Sequence, residues 1–391
     1  MSLAGAEAAE ARKKAATTAG YYNLRLGPTA WNFNAGLGFE LNDNIQLESV
    51  APKADLIVRP ELNARMLLPL TDRNSLNLAF GAGYSAYVRY PQYDRFFLTP
   101  GSEISFDMYA GDFWFNFHDR ASVTENAYQD PTVVGSANYS QFENALGVNA
   151  TWDLNRVVTR AGYDHVNYIT VQGSQSAGAP PDGYSEVFSG SSGYRLTSGI
   201  LAGAELGGSL IHYSSSTANQ TFTDATEWNA GGFCEAQFSQ YMAARVSAGY
   251  TEFLPEASGT NQSLQTLGGV YVQLSLNHRL NRLLNYSISG GRTLNTTFYG
   301  GTVVMVDARC ALNWNILRNT TVTTSFDYEH GTQFYGTTEI FDRYGPSISL
   351  ARRITAKLSA TLSYQYYWRA SDLPDRDYSN NILQLALTYR F

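Results

Sequence analysis

Several things are scarce in this chain of 391 residues, and each scarcity removes a class of protein. Two cysteines leave no basis for a disulfide scaffold or a Cys-rich zinc site. Charged residues make up only 16%, against about 25% in an ordinary soluble domain. No apolar run approaches the roughly 20 residues of a transmembrane helix. No Lys/Arg tract offsets the formal net charge of -7, which argues against nucleic acid as a partner. The five histidines are scattered, without HExxH or any paired metal-ligand spacing, and no GxSxG elbow or phosphate-cradling Gly loop occurs. No cofactor or metal is expected.

Aromatic residues are abundant instead, at 14% with 27 Tyr and 20 Phe, which argues against disorder. Gly is plentiful at 34, yet mean hydropathy is a mildly hydrophilic -0.25. A large all-β soluble protein and a membrane barrel remain.

From about residue 25 onward the chain reads as strands. Trp31, Phe33, Ala35, Leu37, Phe39 and Leu41 alternate with Asn32, Asn34, Gly36, Gly38, Glu40 and Asn42. The same period of two recurs over Leu56 to Leu68, Leu76 to Tyr90, Trp228 to Phe238, Val270 to Leu280, Val304 to Trp314, Ala356 to Trp368 and Leu383 to Phe391. Side chains alternate across a strand, so each segment has one apolar and one polar face. Many hold the alternation for about 10 residues or more, the length that crosses a bilayer at a tilt, where soluble strands average about 5–6.

The connections alternate too. Tight basic ones (Asp72-Arg73-Asn74, Asn155-Arg156, Arg279 to Arg282, Leu317-Arg318-Asn319, Arg352-Arg353) exchange with longer ones rich in acidic, Gly and Pro residues (Ala121 to Ser140, Val171 to Ser185, Arg369 to Asn380). Outer-membrane barrels pair short periplasmic turns with longer external loops. The expectation is an all-β, antiparallel up-and-down transmembrane barrel of about 18 strands, with nine outer loops, eight turns and both termini periplasmic. Glu103–Tyr109, Asp112–His118 and the Ser/Gly-rich Tyr184–Leu196 are the segments on which the count turns, and miscounting them would give 16. Residues 26–391 form one barrel on this reading, and 1–25 a periplasmic tail or short helix. Residues 1–20 hold no apolar signal-peptide core, so export implies a signal already removed or encoded upstream.

The last strand ends on its aromatic register: Leu383, Leu385, Leu387, Tyr389 and Phe391 alternate with Gln384, Ala386, Thr388 and Arg390. This resembles the C-terminal strand of bacterial outer-membrane proteins, whose terminal Phe is read by the barrel assembly machinery. Tyr389 and Phe391 are therefore expected to be the assembly signal. Trp31 to Tyr90, with Asp43-Asn44 after the first strand and Leu56-Ile57-Val58-Arg59-Pro60-Glu61-Leu62 in the second, resembles the putative β-barrel porin 2 family of Gram-negative bacteria. That resemblance implies an outer-membrane channel and, because some members lie beside polysaccharide-export genes, transport of polysaccharide. It implies no catalytic residues.

With the apolar faces turned to lipid, the opposite register lines the lumen. Arg59, Glu61, Arg65, Arg89, Arg245, Asp307, Arg309, Asp327, Glu329 and Arg343 are the candidate pore-lining residues. Arg160, Lys357, Arg390, Glu103, Asp107, Asp164 and Glu235 share their parity. The two signs nearly balance, so weak ion selectivity follows, and most of the negative excess belongs to the outer loops. Eighteen tilted strands enclose a channel on the order of 35 Å across, backbone to backbone. Aromatics at strand ends, such as Trp31, Tyr90, Phe97, Tyr250 and Trp368, suit membrane-interface girdles. Tyr87, Tyr109, Trp114, Tyr271 and Tyr367 have lumen parity and could form a sugar-stacking track. Cys234 and Cys310 fall on lipid-facing register about four strands (~19 Å) apart, too far to bridge, so two free, buried thiols are expected.

Passive passage of polar solutes is the leading functional reading. A structural or adhesive barrel binding a partner through its outer loops or its periplasmic tail is the alternative. An outer-membrane enzyme is third, because strand-borne triads leave little trace in sequence. The expected partners are outer-membrane lipid, the barrel assembly machinery, and polar solutes or polysaccharide.

Overall fold

The computed structural model describes residues 22–124, 127–135, 140–172, 182–214, 224–256, 266–296, 302–335 and 337–391. The expected tail or helix over 1–20 lies outside these residues. Twenty extended segments follow one another: β1 (Leu24–Leu26), β2 (Thr29–Asn42), β3 (Asp55–Pro69), β4 (Ser75–Tyr87), β5 (Arg95–Leu98), β6 (Ser102–Ala110), β7 (Phe113–Thr124), β8 (Ser140–Asp153), β9 (Val157–Gln172) and β10 (Gly183–Thr197). The series continues with β11 (Ile200–Tyr213), β12 (Ala225–Ser239), β13 (Met242–Pro255), β14 (Leu267–Arg279), β15 (Leu284–Thr296), β16 (Thr302–Leu317), β17 (Thr320–Tyr335), β18 (Thr337–Arg353), β19 (Leu358–Ser371) and β20 (Tyr378–Arg390).

Except at β5, each segment pairs antiparallel with the next, and β2 closes the sheet on β20 from Asn34↔Arg390 to Asn42↔Ile382. Closure removes the sheet edges that lipid could not satisfy. Two positions in the wall are shared. β5 and β6 both pair with β4, interrupted at Thr99–Gly101, where Gly101 adopts a φ of +89° that a side chain would disfavour. β1 pairs with Thr29–Trp31 and prolongs the line of β20, just after which Phe391 donates its amide to the Phe33 carbonyl at 3.3 Å. The wall is therefore an 18-stranded closed barrel. The segments in doubt are strands: β6, β7 and the Ser/Gly-rich β10 each pair on both sides. β1 and the C-terminal end of β20 lie at the end of the barrel that carries the tight turns, and Leu24 already pairs with β2 inside the range assigned to the tail.

The two faces are those that the alternation predicts. Outward residues such as Leu62 (65% exposed) have no protein neighbour to cover them, while inward Ile57 on the same strand is 1% exposed. Burial of the outward set falls to lipid. The same reasoning corrects one expectation: Cys234 and Cys310 are free, but exposed at the outer surface and not buried in protein.

Candidate functional site: the barrel lumen

Inward side chains from strands far apart in the wall touch one another, which is geometrically open only to the concave face. Arg160 on β9 donates to Glu235 on β12 at 3.0 Å. Those strands are three steps apart, about 14 Å along the sheet. Arg245 on β13 bonds Glu235 on its neighbouring strand and reaches Glu205 on β11 at 2.6 Å. Tyr271 on β14 crosses two further strands to donate to Glu205 at 2.9 Å. Its ring lies over Gly231 and Gly249, where a Cβ would collide with it. Arg245 also stacks over Phe233, with 4.9 Å between guanidinium and ring centre. His118 on β7 reaches Asp164 on β9 at 2.6 Å across Gly147, whose missing side chain makes the room.

On the opposite wall the ion pairs sit nearer the long-loop end. Arg59 pairs with Glu40 and donates to Ser85 at 3.0 Å; Arg343 pairs with Glu329; Arg309 meets Asp327 at 3.1 Å. Glu339 takes both Arg369 and Arg376 at 2.8 Å. Glu61 accepts from Asn63 at 3.2 Å, and Arg65 is exposed opposite Asn32 and Ala79. Asp307 stands opposite Gly291 and Glu329.

Two residues depart from the expected register. Arg89 lies beyond the end of β4, exposed in the connection to β5, because β4 stops at Tyr87. Lys357 lies in the turn before β19, over the outward ring of Tyr389 at 5.9 Å. Glu40, Arg95, Arg120, Glu143, Glu205, Glu227, Glu339 and Arg369 were not among the lumen residues expected from sequence, although parity alone places most of them there. The sequence places Arg369 at the start of a long connection, because acidic and proline-containing residues follow it; the strand β19 in fact runs on to Ser371. With these included, inward carboxylates outnumber inward guanidinium groups among the described residues, so the near-balance expected from sequence shifts towards negative charge.

The lumen is also partly filled, which no periodicity announced. Residues 127–135, in the connection from β7 to β8, dock on β18, β19 and β20. Arg343 donates to the Tyr128 carbonyl at 2.7 Å, and Arg369 donates to the Pro131 carbonyl at 3.1 Å. Val133, 0% exposed, packs with Leu47, Tyr367, Tyr378 and Ile382, while the Gly135 amide donates to Leu47 in the β2–β3 connection at 3.2 Å. That connection folds inward as well: Asn44 donates to the Ser379 carbonyl at 3.0 Å, and Ile45 packs on Ile57 and Tyr87.

The β15–β16 hairpin leans in from another side. Its pairing with β14 ends at Val272↔Arg292, and beyond that point Leu294 and Val304 pack on Ala225 and Phe253 of the inner wall. Val303 and Met305, on the other side of the hairpin, pack on Phe341. Arg292 bonds the Val270 carbonyl where the sheet opens. Between the docked segment and the β7–β13 wall lies a cavity of about 1030 Å³, lined among others by Trp114, Asp130, Arg160, Glu205, Glu227 and Arg245.

Of the candidate stacking aromatics, Tyr87, Tyr271 and Tyr367 are buried against protein, and Tyr109 and Trp114 face each other with 6.4 Å between ring centres. Tyr389 and Phe391 meet edge to face at 5.4 Å on the turn-end rim.

A closed, polar-lined barrel with apolar residues outward is the architecture of an outer-membrane protein, and the sequence agrees. The profile of the family described as putative beta-barrel porin 2 matches residues 31–391. The chain belongs to this family. No curated protein matches it closely enough to count. Solved structures similar to this porin-family chain include OccAB3 of Acinetobacter baumannii (10% identity, 94% of this chain and 100% of the other, TM-score 0.50). OpdQ of Pseudomonas aeruginosa is similar at 8% identity over 94% and 100%, with a TM-score of 0.52. A BenF-like porin from Pseudomonas fluorescens Pf-5 is similar at 7% identity over the same shares, also with a TM-score of 0.52. At such identities the likeness is one of fold. This porin-family barrel is a protein of the Gram-negative outer membrane, with membrane lipid around its outward face.

Proposed function

We propose that this protein is a passive channel through which small polar solutes cross the outer membrane, by way of the space between the docked 127–135 segment and the β7–β13 wall. The observation that carries this reading is the cavity of about 1030 Å³ inside a closed barrel, lined by both signs of charge and by Ser, Asn and Tyr side chains. Family membership supports it. The tight-turn end, with both termini, faces the periplasm, as short turns do in barrels of this kind. The edge-to-face Tyr389–Phe391 pair then sits at the periplasmic rim, where the assembly machinery would read it.

Small solutes are favoured over an exported polysaccharide. A polymer track needs a run of exposed ring faces along the lumen, and of the five lumen-parity aromatics Tyr87, Tyr271 and Tyr367 have theirs covered, leaving Trp114 as the one of them on the cavity lining. Swelling of proteoliposomes in sugars of increasing size tests the reading. Mono- and disaccharides are expected to enter and long oligosaccharides to be excluded. Equal entry at all sizes would refute the narrowed passage, and entry of none would refute the channel.

A further inference from the structure

We infer that the passage favours cationic solutes, an assignment of solute class that rests on the channel reading above. The argument is one of pairing. Most arginines on the inner wall are held by protein partners; Arg65 is exposed opposite Asn32 and Ala79, and Arg95 holds the Tyr87 hydroxyl. Arg160 and Arg245 share Glu235, and Arg245 holds Glu205 as well. Arg59, Arg120, Arg309, Arg343 and Arg369 pair with Glu40, Glu103, Asp327, Glu329 and Glu339. Arg343 and Arg369 are, in addition, buried beneath the docked segment, with N–H groups spent on its carbonyls. These guanidinium groups present little net field to a passing ion.

The carboxylates are not all matched. Among the described residues Glu143, Glu227 and Asp307 face inward without any guanidinium or ammonium partner, each only half-buried. Asp107 accepts from Asn77, Trp114 and Asn116, which are neutral donors. The surplus is placed where it acts on solutes. Glu227 lines the open cavity together with Asp130 of the docked segment and Glu205, against only Arg160 and Arg245. Asp307 borders a smaller recess of about 240 Å³ beside Arg245. Charge of one sign inside low-dielectric walls focuses its field along the opening and raises the local concentration of counter-ions. Cations, including small organic ammonium compounds, would enter more readily than anions of equal size.

Reversal potentials across a planar bilayer in a potassium chloride gradient read this directly, with the whole folded chain. A potassium-to-chloride permeability ratio of about 3 is expected, on the scale of field focusing by a few uncompensated charges. The variant E227Q/D307N is expected to bring that ratio towards 1, with the single variants in between. A wild-type ratio of 1 or below would overturn the inference while leaving the channel intact. Cation preference unchanged in the folded variants would overturn its assignment to these carboxylates. A folded barrel that conducts nothing would overturn the channel reading itself.

Discussion

At the scale of the residue, the lumen is organised by what glycine leaves out. Tyr271 can lie flat across two neighbouring strands because Gly231 and Gly249 present no side chain there, and only that posture brings its hydroxyl to Glu205. A Cβ at position 231 would meet the Tyr271 hydroxyl and the Ala248 carbonyl together, and backbone cannot give way as a flexible side chain can. Gly231→Ala is expected to lower the stability of the folded barrel by about 1–3 kcal/mol, the usual range for overpacking. Urea unfolding in lipid vesicles measures it, and an unchanged midpoint would refute the close packing of this ring. Parity made the inward register of Tyr271 legible in the sequence. Its posture was not, because the space it uses belongs to strands that precede it by about 20 and 40 positions.

At the scale of the element, strands announced themselves and the inward segment did not. β2, β3 and β20 were readable because lipid on one side and water on the other impose a period of two for the full width of the membrane. The path of residues 127–135 has no such constraint. It is set by two guanidinium groups more than 200 positions away and by a pocket for Val133 assembled from the β2–β3 connection, β19 and β20. Such contacts leave no local pattern. Arg343 appeared among the candidates from sequence, but as a charge on an open wall, and the structure gives it a carbonyl to hold. The double variant R343Q/R369Q removes both tethers. Single-channel recording is expected to show unit conductance raised by about a third or more, as part of the lumen refills with electrolyte, together with faster current noise. Conductance equal to that of the wild type would show that the tethers do not shape the passage.

At the scale of the whole molecule, the composition becomes intelligible as an average over two surfaces. An outward face rich in Leu, Ile, Val and aromatics and an inward face rich in Asn, Ser, Gly and paired charge sum to a chain that is mildly hydrophilic and poor in charge. The -7 is shared differently from the sequence expectation: part of it lies inside, in carboxylates whose strands were recognised but whose lack of basic partners only the structure could reveal. Closure of β2 on β20 makes the wall continuous, and the docked residues 127–135 leave a cavity along the β7–β13 wall, which the channel reading takes as the passage. The most direct test of that passage is single-channel current from the refolded protein in a planar bilayer. Discrete, regular upward steps are predicted, of a size between those of a narrow pore and an unobstructed 18-stranded barrel. Protein with the circular dichroism of a folded barrel, inserted and without current steps at any voltage, would contradict the account.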